Sequence, residues 1–121
     1  MRQLLAKVRD AILFVYETHG LGYGTVVCRD LIRAELDYQG IAYQSNPLIQ
    51  VEFQGTPIRA CKAKVLCIAE QMLCGITAIQ DKVTLFDIKR MRTYLNYSNI
   101  PLGLLVNFGK SNFEIRAVFV D

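Results

Sequence analysis

The residues of this 121-residue chain that could do chemistry are few: a single histidine, four cysteines and a thin scatter of carboxylates. His19 precedes three alternating glycines, Gly20, Gly22 and Gly24. A catalytic histidine needs a nearby Ser or Cys nucleophile and an acid to orient it. Cys28 lies just beyond the glycines, but a histidine at a helix end more often caps carbonyls, and that is the role expected of His19. The glycines have the permissive backbone of a phosphate loop. They follow a helical pattern rather than a strand, however, and no Gly-Lys-Ser/Thr comes after them, so they read as a turn. A zinc or iron–sulfur site needs converging thiolates, usually from a close Cys-x₂₋₄-Cys pair. Cys61, Cys67 and Cys74 are separated by five and six residues and Cys28 is remote, so the cysteines are expected to be reduced and packed in the core, and no cofactor is expected. The tyrosines Tyr16, Tyr23, Tyr38, Tyr43, Tyr94 and Tyr97 could stack on bases, but they are scattered and mostly fall at core or boundary positions.

The elements that must hold these residues follow from periodicity. From Leu4 to Thr18 apolar residues recur at helical spacing, and the glycines end that run. Thr25 is the expected N-cap of a second helix, which ends at Gly40 as its C′ glycine. The period then changes to two. Ile49, Val51 and Phe53 alternate with Gln50 and Glu52 in a strand over Leu48 to Phe53, and Gln54-Gly55-Thr56-Pro57 is a hairpin turn. Ile58 to Ala69 reads as a second, bent strand, Glu70-Gln71 as a turn, and Met72 to Ala78 as a third strand. Helical spacing returns from Asp81 to Ser98, followed by the continuous apolar run Leu102 to Phe108 of a buried strand. Phe113 to Val120 alternates again, as an edge strand.

Composition bounds the function. Hydrophobic residues make up 52% and charged residues 21%, which is enough for a real core and far from a disordered composition. In a domain this small, so apolar a chain is expected to leave surface for a partner, most simply a second copy in a homodimer. A net charge of +3 is weaker than the clustered basic excess of most nonspecific nucleic-acid binders. No segment has the apolar length of a membrane span, and the charged start lacks the apolar stretch of an export signal, so no membrane association and a cytoplasmic location are expected.

Four stretches resemble a known family. They are His19-Gly20-Leu21-Gly22, Leu36-Asp37-Tyr38-Gln39-Gly40-Ile41-Ala42-Tyr43, Val51-Glu52-Phe53-Gln54-Gly55, and Thr93-Tyr94-Leu95 followed by Gly103-Leu104-Leu105-Val106-Asn107-Phe108. Together they resemble the GxxExxY family of the PD-(D/E)XK nuclease superfamily, the last most specifically. The resemblance implies one α/β domain over residues 1–121. Its core is restriction-endonuclease-like, a mixed four- to five-stranded sheet flanked by helices in the order ααβββαββ.

It also implies a catalytic set: an Asp on one strand, an Asp/Glu-x-Lys on the next, and often a Gln on the following helix. Paired carboxylates hold Mg²⁺ through hard oxygen ligands, and the metal activates water beside a phosphate. Here the matching positions are degenerate. The glutamate of the name motif is Thr25, the Asp position is Lys64, the Glu-x-Lys falls on Cys74-Gly75-Ile76, and the Gln is Arg90. Between Ala60 and Ala78 the only acid is Glu70, in a turn, so no shift of register restores two strand carboxylates. If Met72, Cys74 and Ile76 wall the old site, it has become apolar, with Lys64 and Arg90 at its edges and no metal expected. Asp87 stands three residues before Arg90 and can pair with it. The expected function is therefore a non-catalytic binding or structural module that acts by association with itself or a partner. The alternative is an anion or nucleic-acid binder using Lys62, Lys64 and Arg90; a Mg-dependent nuclease ranks third.

Overall fold

The computed structural model describes residues 2–78, 82–109 and 112–120. Its elements are α1 (Arg2–His19), α2 (Thr25–Tyr38), β1 (Tyr43–Ser45), β2 (Leu48–Phe53), β3 (Thr56–Lys62), β4 (Leu66–Ile68), β5 (Met72–Thr77), α3 (Leu85–Ser98), β6 (Leu102–Phe108) and β7 (Phe113–Phe119). A mixed five-stranded sheet runs β1-β4-β5-β6-β7, and β2 and β3 form a separate hairpin. Only β5 and β6 are parallel, joined by the α3 crossover. This is the expected α/β architecture, and β7 is the expected edge strand.

Alternation along the strands divides the core into two layers. Leu66, Ile68, Met72, Cys74, Leu102, Leu104, Val106 and Phe108 face Val8, Ile12, Val15, Ile32 and Leu36 of α1 and α2. The intervening residues Cys67 and Leu73 face the opposite way, toward Met91 and Leu95 of α3 and Ile49 of β2. Helices therefore cover both faces. Gly103 lets α3 approach: a Cβ there would lie 2.6 Å from Met91 Cγ and 2.7 Å from its Sδ.

Two expectations about local structure change. The long bent strand Ile58–Ala69 is two strands. It leaves the hairpin after Lys62, turns at Ala63–Val65, and re-enters the main sheet as β4. Backbone bonds from Ala63 N–H to Pro47 O (3.0 Å) and from Asn46 N–H to Val65 O (2.9 Å) tie the corner to the entrance of β2. Thr25 is not the N-cap of α2; Gly24 is, with extended backbone and no side-chain cap. The Thr25 hydroxyl instead accepts the Ala78 N–H at 3.1 Å, which pulls it out of capping geometry and pins α2 to the end of β5.

The other end of α2 is as expected. Gly40 (φ 72°) is left-handed, Gly40 N–H donates to Asp37 O at 3.1 Å and Ile41 N–H to Leu36 O at 2.9 Å, the paired bonds of a Schellman motif. The third helix starts later than the expected Asp81, which lies outside the described residues. Thr84 caps it in a full capping box with Asp87. Among the described residues no helix is long and apolar enough to cross a membrane.

Candidate functional site

A cleft of about 470 Å³ opens between the start of α2, the β3–β4 corner, the end of β5 and the first two turns of α3. Its floor is apolar: Val65, Gly75, Val83, Met91 and Leu105, with Tyr94 on one side. A Cβ on Gly75 would already meet Leu105 Cδ2 at 3.2 Å, Met91 Cε at 3.4 Å and Val65 Cγ1 at 3.7 Å, so the base is filled. The rim is charged. Arg29, Lys62, Lys64 and Arg90 line it, and Asp87 is the one acid among the described lining residues.

Asp87 is fully engaged in structure. One carboxylate oxygen accepts the Thr84 N–H and hydroxyl, each at 2.9 Å, and the other accepts Arg90 Nη2 at 3.1 Å. This is the Asp87–Arg90 pairing expected from their spacing. The Arg90 guanidinium also lies 5.3 Å from the Phe86 ring centroid, a cation–π distance. Held on one side, Arg90 remains half exposed on the other. Lys62 and Lys64 are exposed, and Arg29 is half-buried.

Of the residues singled out from sequence, the cleft gathers Thr25, Lys62, Lys64, Ile76 and Arg90. It does not gather Cys74. The expectation that Met72, Cys74 and Ile76 wall the site is corrected by the sheet's phase: that face of β5 lies beneath α1 and α2. Cys74 is wholly buried there, and burial pushes its thiol up to about 12. Ile76 packs in the same layer and reaches the cleft only where β5 ends. The β5 positions that open on the cleft are Gly75 and Thr77, one residue further along, and Val65 rather than Lys64 stands next to Gly75. Neither pair supplies a carboxylate.

Arg29 was missed. Its signal was available, because it stands one helical turn after Thr25 and so shares its face of α2. The remaining thiols are not arranged as nucleophiles. Cys28 is buried, its Sγ donates to Tyr23 O at 3.8 Å, and burial raises its thiol above the usual range. Burial raises Cys67 likewise, against a smaller lowering by a backbone hydrogen bond. Cys61 is exposed on β3 and does not pack in the core as expected. His19 ends α1 with its ring edge-on to Tyr23 at 6.4 Å.

Residues 2–118 match the PD-(D/E)XK nuclease superfamily, and the chain belongs to it. Among solved structures, an alkaline exonuclease from Laribacter hongkongensis is similar, with a TM-score of 0.58 at 13% sequence identity over 81% of this chain. The chain spans 57% of that enzyme, and at such identity the likeness speaks for the fold alone. No curated protein matches the sequence.

The superfamily's chemistry implies a magnesium ion, which takes carboxylate and carbonyl oxygens in a near-octahedral shell. Among the described residues the donor set does not fit one. Where a metal would need paired carboxylates, β5 and the β3–β4 corner present Gly75, Thr77 and Val65, and of the charged residues described around the cleft Asp87 alone is acidic. A dication in this setting would be repelled by Lys62, Lys64 and Arg29.

Proposed function

We propose that the chain is a degenerate, GxxExxY-like member of its superfamily. In this reading residues 1–121 form one nuclease-like domain that does not cleave, and acts by association. The observation that supports it is the cleft itself: an apolar base with Gly75 and Val65 at its centre, ringed by Arg29, Lys62, Lys64 and Arg90. The described residues of such a site lack the paired carboxylates that would hold a metal and its water for phosphodiester hydrolysis, which supports the non-catalytic reading, and their charge suits an anion.

The same rim favours a more specific second reading, in which the cleft holds the phosphates of a nucleic-acid backbone. The four cations come from α2, β3, the β3–β4 corner and α3, so they surround a ligand rather than line one face. Phosphate contacts of this kind bring affinity without base preference.

Two assays test these readings. Purified protein is incubated with plasmid and single-stranded DNA in Mg²⁺ or Mn²⁺. No cleavage above an empty-vector preparation is expected, and metal-dependent cleavage would overturn the non-catalytic reading. Binding to a labelled oligonucleotide is then compared with that of Lys64→Ala/Arg90→Ala. Binding that weakens with salt and is weaker in the variant supports the phosphate reading; no binding at low salt, or undiminished binding in the variant, sinks it.

A further inference from the structure

We propose that two copies of the chain join edge to edge along β7, antiparallel and in one defined register, so that their five-stranded sheets become one. This deepens the association part of the proposed function and is independent of the cleft. β7 is the outermost strand, and no strand among the described residues pairs with its outer side.

The ladder with β6 fixes which groups face outward. Val120 N–H donates to Pro101 O at 3.4 Å, continuing the Leu102↔Phe119 register. In an antiparallel ladder each residue turns its N–H and C=O to the same side, and successive residues alternate. Val118, Arg116 and Glu114 therefore point toward β6, as Val120 does. Phe113, Ile115, Ala117 and Phe119 point away from it. Arg92 Nε donates to Phe119 O at 3.4 Å, which closes that end. Phe113, Ile115 and Ala117 remain as three consecutive outward positions.

Sheet edges are normally blunted by shortness, proline or lysine. β1, the opposite edge, has only three residues, and β3 carries Pro57, Arg59 and Lys62. The seven-residue β7 has neither proline nor lysine, and Ala117 and Phe119 are exposed beside it.

Charge then selects the register. With a two-fold axis at Ile115, Glu114 lies opposite the partner's Arg116 and Arg116 opposite the partner's Glu114. Phe113 and Ala117 lie opposite each other in the same way. Moving the axis by one residue sets Glu114 against Glu114, or Arg116 against Arg116, and like charges directly opposite are destabilising. Within one chain these two side chains already stand 3.9 Å apart, so the dimer would close an alternating array of four charges.

Light scattering across a concentration series tests this. The wild-type chain is expected to approach twice its 13.7 kDa mass and to dissociate on dilution. Arg116→Glu should weaken association about tenfold, and Glu114→Arg/Arg116→Glu should regain most of that loss, because the array is inverted; the double variant also gives up the bond from Val83 N–H to Glu114 Oε1 (3.0 Å), so its circular dichroism must first match the wild type. Ala117→Pro should abolish association while circular dichroism stays native, since an outward N–H is not used by β6. A strict monomer at every concentration would overturn both this surface and the association reading, leaving the cleft to its own assay. A dimer indifferent to Arg116→Glu and Ala117→Pro would overturn this surface alone.

Discussion

Removing Lys64 and Arg90 together should change how binding responds to salt, and the structure sets the size of the change. Each phosphate neutralised on a single strand contributes about −0.7 to the slope of log affinity against log salt. Four rim cations, Arg29, Lys62, Lys64 and Arg90, would give a slope of about −2.8 if all engage phosphate. If Arg90 stays with Asp87, three contacts leave about −2.1. At four contacts, raising salt from about 50 to about 200 mM should weaken binding roughly fiftyfold in the wild type. In Lys64→Ala/Arg90→Ala two cations remain, the slope falls to about −1.4, and the same change costs roughly sevenfold. Fluorescence anisotropy of a labelled single-stranded oligonucleotide, titrated at several KCl concentrations, reads the slope directly. Both side chains are exposed and outside the core, so the variant should melt like the wild type. An unchanged slope in the variant would mean that phosphate sits elsewhere, and a wild-type slope near zero would refute an electrostatic site altogether.

Other expectations test how the fold holds this cleft. Gly103→Ala should cost about 1–3 kcal/mol in urea unfolding, because the new methyl overlaps Met91 Cγ and Sδ; a loss below about 0.5 kcal/mol would show that α3 gives way freely. Thr84→Ala should cost about 1 kcal/mol by undoing the capping box, and, by loosening Asp87, should change binding through Arg90; unaltered binding would separate the cap from the cleft. In the native protein a thiol reagent should label Cys61 and leave Cys28, Cys67 and Cys74 until unfolding; native labelling of Cys74 would contradict its burial. The Cys74 thiol is raised from 9.0 to about 12, so the folded state keeps its proton to higher pH than the unfolded chain does. Its contribution is complete below pH 9.0 and is lost as pH rises toward about 12, so the fall in urea midpoint above pH 9.0 should be shallower in Cys74→Val.

Where one residue type dictates one conformation, the fold was legible in the sequence. Gly40 ends α2 because only a residue at ease with positive φ can close a Schellman turn there, and Gln54-Gly55, both left-handed, makes the β2–β3 turn. Leu102–Phe108 is apolar except for the buried Asn107 because both of its faces are covered. The break at Ala63–Val65 was not legible, because it depends on backbone bonds to Asn46 and Pro47, which are distant in sequence. Ala69 and Glu70 form a left-handed turn without a glycine, which local chemistry does not announce. The site was half legible. Lys62, Lys64 and Arg90 were found and Arg29 was not, and neither was the phase of β5, because Met72, Leu73, Cys74 and Ile76 are all apolar and their alternation carries no contrast. Only the packing of α1 and α2 reveals which side each residue takes.

The two-sidedness of β5 also bears on how such a protein can change over time. Met72, Cys74 and Ile76 are committed to the layer under α1 and α2, while Gly75 and Thr77 open on the cleft. Mutation on the first side is screened by folding. Mutation at Thr77, or at the exposed Lys62, Lys64 and Arg90, meets no such screen and is judged only by what the cleft must hold. A lineage can thus exchange the whole chemistry of its cleft and leave the scaffold's stability almost untouched, because the two inheritances alternate along one strand.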